Sequence, residues 1–72
     1  MQRISTYGIR IEGELDPVAF NAVSPYPVEV TRVGPTTTSF TVRVDQSGLV
    51  GMIRFLHNRS YVLLWLHRAR SL

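Results

Sequence analysis

An α+β domain, built on a small antiparallel sheet of about four strands with one main helix against one face, is the fold class this sequence predicts. Three observations lead there. Tyr7–Glu12, Val28–Val33 and Ser39–Val44 alternate apolar with other residues at the period of a half-buried strand. Leu49, Met52, Ile53 and Leu56 recur at helical spacing, and Tyr61–Leu66 is an apolar run too short to stand as a helix. At 72 residues the chain has room for a single domain, 1–72.

In chain order, the first strand places Tyr7, Ile9 and Ile11 on one side. Asp16-Pro17 follows as a helix start, because aspartate accepts orphan backbone N–H groups and proline gives up no helical bond at the first position. A short helix to about Ala22 is expected, stopped by Ser24-Pro25-Tyr26-Pro27. The next two alternating segments flank Gly34-Pro35-Thr36-Thr37, which has turn chemistry, and form a hairpin. Asp45 caps the main helix, and Asn58 ends it by adopting the left-handed conformation.

The last strand is expected at Tyr61–Leu66, with Val62, Leu64 and Leu66 on one side and Tyr61, Leu63 and Trp65 on the other. Strand, short helix, strand, strand, long helix, strand is the element order of a ferredoxin-like fold.

Composition narrows the chemistry. With no cysteine there is no disulfide, thiolate metal site or redox switch, and His57 and His67 alone do not make a metal site. No metal and no cofactor are expected. The net charge of +3 comes from eight arginines against five acids, and every acid lies between Glu12 and Asp45. No apolar run approaches a membrane span, and the polar segment Met1–Tyr7 lacks the apolar core of a secretory signal, so a cytoplasmic location is expected.

A chain this small buries a limited core and gains stability by self-association when it has neither disulfide nor metal. The doubly apolar last strand points the same way. Tyr61, Leu63 and Trp65 are the expected interface of a homo-oligomer, most simply a two-fold dimer.

Gly13-Glu14-Leu15-Asp16 after Tyr7, Ile9 and Ile11, and Asp45-Gln46 before Leu49, Gly51, Met52, Ile53 and Leu56, resemble a family of short uncharacterised bacterial proteins. That family has a Gly-x-Leu-Asp strand end and an Asp-Gln-x-x-Leu-x-Gly helix start. The resemblance covers most of the chain and implies a fold and self-association, with no activity attached. Where those relatives often carry tryptophans and a phenylalanine after Leu-Asp, this chain has Ala19, Ala22 and Val23, with Phe20 the nearby aromatic. Where they often carry a histidine in the second block it has Val50. Any pocket or catalytic group those side chains make in the relatives is lost or rebuilt here.

Asp45, Gln46 and Asp16 are the candidate catalytic residues, since a carboxylate and an amide beside unpaired helix N–H groups can hold an anion or oxyanion. Helix capping is the competing role for both aspartates. The expected ligand site comprises Asp45 and Gln46 with Tyr26 and Trp65 as apolar walls, at a pocket between subunits.

Three functions remain open. The first is a homo-oligomer that binds or tailors a small organic molecule at that pocket. A second is a non-catalytic protein–protein interaction module. The third is nucleic-acid binding through Arg54, Arg59, Arg68 and Arg70 in the acid-free C-terminal half, for which no base-reading or stacking motif is present.

Overall fold

A computed structural model describes residues 3–69. Its elements run β1 (Ser5–Glu12), α1 (Pro17–Val23), β2 (Val28–Val33), β3 (Thr37–Val44), α2 (Gln46–Asn58) and β4 (Leu63–Arg68). The strands form one sheet in the order β2-β3-β1-β4, with each neighbouring pair antiparallel. The fold is therefore α+β, with a four-stranded antiparallel sheet and two helices.

Both helices lie on one face. Ile9 and Ile11 from β1, Phe40, Val42 and Val44 from β3, Phe20 from α1, and Met52 and Leu56 from α2 are buried together. Phe20 is the joint between the layers: its ring lies 5.2 Å from Phe40 and 5.8 Å from both Phe55 and Tyr61. Alternation in β1 and β3 thus points where a period of two requires, and the opposite face carries Gly8, Arg10, Glu12, Ser39, Thr41 and Arg43.

Each connection has a local cause. Gly13, at φ 108°, turns the chain out of β1, a conformation a side chain would strain. Thr38 then ties this turn to β3, because its buried hydroxyl donates to Gly13 O at 2.8 Å and accepts from Leu15 N at 3.1 Å. Asp16 caps α1 and Asp45 caps α2, the latter accepting from Gly48 N at 2.7 Å. Asn21 binds both the N–H and the C=O of Val28, pinning the start of β2 to α1.

Three expectations need correction. Helix α2 does stop at Asn58, but the left-handed residue is Ser60, at φ 62°. Tyr61 N donates to Leu56 O and Ser60 N to His57 O, the paired bonds that close a helix when the chain reverses just past its end. The buried stripe of α2 is centred on Gly48, Met52 and Leu56, with Leu49 and Phe55 packed beside it, while Ile53 is half-buried outside the core cluster.

The third correction concerns the last strand. It begins at Leu63, because Tyr61 is held against Phe20 by the helix closure. Its register shifts between Arg10 and Ile11: Trp65 pairs with Arg10 but Leu63 pairs with Ile11, leaving Leu64 as an extra residue. Leu63 and Leu66, opposite buried Ile11 and Ile9, therefore share the helix side, and Trp65 lies on the open side. Tyr61, Leu63 and Trp65 do not form one face.

Candidate functional site

The residues singled out from the sequence fall in separate places. Asp16 and Asp45 spend their carboxylates as caps, Asp16 on Val18 N and Ala19 N. Gln46 opens α2 and is exposed. Tyr26 lies in the loop before β2, beside Gly51 of α2, whose added Cβ would meet Tyr26 at 3.8 Å. Trp65 is on the opposite side of the sheet, so within one chain it shares no pocket with Tyr26. Ala19, Ala22, Val23 and Val50 are all exposed on the helices.

Both sequence blocks that carry the resemblance have a structural explanation. In Gly13-Glu14-Leu15-Asp16, Gly13 makes the turn, Leu15 packs against the core and Asp16 caps α1. In the second block, Asp45 caps α2 on Gly48, and a side chain at Gly48 would come within 2.8 Å of Val44 Cβ. Leu49, Met52 and Leu56 follow as packing residues. These positions build the fold.

Two surfaces are left over. The first is the edge strand β4 with the residue before it, where Val62 (50%), Leu63 (39%), Leu64 (46%), Trp65 (46%) and Leu66 (36%) are all exposed. This apolar stretch wraps an edge, whereas the open face beside it is largely polar. The need for cover therefore lies along β4 and not over a whole face. The other edge, β2, carries Glu29 and Arg32 and is irregular between Val30 and Arg32, features that discourage strand addition.

The second surface is the open face. Arg10 donates from Nε to Ser39 Oγ at 3.1 Å, and its guanidinium carbon stands 5.6 Å from the Trp65 ring centre. Trp65 in turn lies 4.2 Å from the His67 ring. Two clefts open here. One, of about 320 Å³, is lined by Arg10, Arg32, Gly34, Pro35, Thr36, Thr37 and Ser39. The other, of about 470 Å³, is lined by Thr6, Pro27, Val28, Glu29, Thr41 and Arg43. Glu29 and Arg43 balance the larger cleft, whereas Arg10 and Arg32 give the smaller one cationic walls without a carboxylate.

Arg32 escaped the sequence reading because strict alternation puts it on the core side with Val28 and Val30. The register shift before Arg32 pairs it with Ser39 and turns it to the open face. The signal was present in the spacing: Val28 and Val30 are two apart, but the next valine, Val33, comes three later.

Of the C-terminal arginines, Arg54 is exposed within α2, Arg59 just past its end and Arg68 at the end of β4, and Arg70 lies outside the described residues. Among the described residues, no His, Cys, Asp or Glu group is placed to hold a metal and no helix is long and apolar enough to cross a membrane. No family model, curated protein or solved structure matches the chain.

Proposed function

We propose that this chain is a homo-oligomeric binding protein, most simply a two-fold dimer joined along β4, which holds a small organic molecule at a site completed between copies. The observation that carries this reading is the exposed run Val62–Leu66, which leads into and along an edge strand. An apolar edge with unpaired backbone groups is a template for another strand, and antiparallel pairing of two copies of β4 would extend the sheet across a two-fold axis. Burying a large apolar side chain contributes about 1.5–3 kcal/mol, and roughly half that for side chains already half covered, so Leu63, Leu64 and Leu66 together supply several kcal/mol. Trp65, the member of the expected ligand set that flanks this seam, keeps its side chain on the open face.

The same reading takes the β-α-β-β-α-β order, with β1 and β3 central, as a ferredoxin-like arrangement, and the chain as a cytoplasmic relative of the short bacterial family it resembles. Sedimentation velocity tests the association. The wild-type chain is expected to sediment as a dimer at micromolar concentration. Leu64→Arg, at the extra residue of the edge, should sediment as a monomer with unchanged circular dichroism. A wild-type monomer at high micromolar concentration would overturn the homo-oligomer and leave β4 as an edge for a different protein's strand.

A further inference from the structure

We propose that the cleft beneath the β2–β3 turn is a binding site for a phosphorylated aromatic molecule of the nucleotide type, its phosphate held by Arg10 and Arg32 and its ring against Trp65. This site lies on the open face and does not depend on pairing along β4. Three neighbouring strands build it: Arg10 from β1, Ser39 from β3, and Arg32 from β2, with Thr36 and Thr37 at its rim. A phosphate needs cationic donors and hydroxyls around a space it can enter, and this lining supplies both in about 320 Å³ without a carboxylate wall. Glu12, which pairs with Thr37, does not line the cleft.

Arg10 gives the site its orientation. Its Nε bond to Ser39 at 3.1 Å and its position 5.6 Å from the Trp65 ring hold the guanidinium from two sides. The terminal amino nitrogens, which carry most of a guanidinium's donors, are the groups that would grip the oxyanion. Trp65 remains nearly half exposed beside it, so a ring attached to the phosphate would find an aromatic surface next to its charge site. The larger cleft on the same face has the same hydroxyl chemistry, but Glu29 opposes Arg43 there, and neither of its charged residues is the one that stands against Trp65.

Trp65 is the chain's one tryptophan, so its fluorescence reports on this site directly. Titration of the full chain at low salt with adenosine monophosphate and with a short single-stranded oligothymidylate should change that emission; adenosine, lacking phosphate, should do so far more weakly. Inorganic phosphate should compete. Comparable affinity for the mononucleotide and the oligonucleotide identifies a free nucleotide as the ligand; much tighter oligonucleotide binding that weakens steeply with salt identifies a single strand. Either outcome supports the site. Arg32→Gln, which leaves Trp65 and Arg10 in place, should weaken binding roughly tenfold or more, and Arg10→Gln likewise by calorimetry, with circular dichroism unchanged. Equal binding of adenosine and its monophosphate, indifference to both arginine substitutions, or no response to either phosphorylated probe would overturn it. Sedimentation of the same samples reads association separately from ligand response.

Discussion

His67 of β4 lies over Gly8 of β1, its cross-strand partner: a Cβ built on Gly8 would fall 2.8 Å from His67 Nε2 and 3.4 Å from Trp65 Cζ3. Gly8 has an ordinary strand backbone, so its value is space for these rings. In Gly8→Ala the methyl group must displace the imidazole and disturb the Trp65–His67 contact. The alanine also restricts the unfolded chain, which favours folding by about 0.4–1 kcal/mol and offsets the loss. Little change in Tm is therefore expected, together with a clear shift in Trp65 emission. An unchanged emission spectrum would show that the rings do not rest on Gly8.

The legible parts of the fold were those governed by period and capping. Tyr7, Ile9 and Ile11, or Phe40 and Val42, need only alternation to find the core, and Asp16 and Asp45 need only their positions before an apolar helical pattern. The misread parts were those where one extra residue changes the face. Leu64 in β4 and Thr31 in β2 each break the period, so Leu63 ends on the helix side and Arg32 on the open side. The candidate site inherited that error. Its pairing of Arg10 with Arg32 depends on a cross-strand register that no single strand's pattern contains.

Thr38 is fully buried, and its hydroxyl serves both Gly13 O and Leu15 N. Thr38→Val keeps the shape and leaves those backbone groups without that partner in a half-buried turn. A loss of about 1–3 kcal/mol is expected. Urea denaturation measures it, and Thr38→Ser, which retains the hydroxyl, should recover most of the hydrogen-bond contribution while losing a methyl contact. Equal stability of the valine variant and the wild type would mean that water satisfies the turn.

Ser60 stands at φ 62° just past α2, where glycine is the usual occupant. A left-handed conformation costs a residue with a side chain roughly 1–2 kcal/mol, and glycine avoids that penalty at the expense of a more flexible unfolded chain. Ser60→Gly should therefore stabilise the protein by up to about 1 kcal/mol, or roughly 4–8 °C in Tm for a domain of this size. Ser60→Val should destabilise it, because a branched side chain fits this region worst. Thermal unfolding of the pair checks the sign in both directions.

Asp45 and Asp16 separate capping from chemistry, because both accept helix N–H bonds but belong to helices of different weight. Asp45 holds Gly48 N at 2.7 Å at the head of a 13-residue helix that supplies Met52 and Leu56 to the core. Asp16 holds Val18 N at 3.0 Å at the head of a 7-residue helix whose buried residue is Phe20. Replacing either with alanine should cost about 1 kcal/mol. Asparagine at either position should restore most of it, since its side-chain oxygen still accepts the N–H while the charge is gone. If both aspartates are caps, the asparagine variants will also retain the Trp65 fluorescence response to nucleotide, which the proposed site assigns to the opposite face. Loss of that response in Asp45→Asn, with stability intact, would move the ligand site to the helix end and leave the arginine cleft without its assigned role.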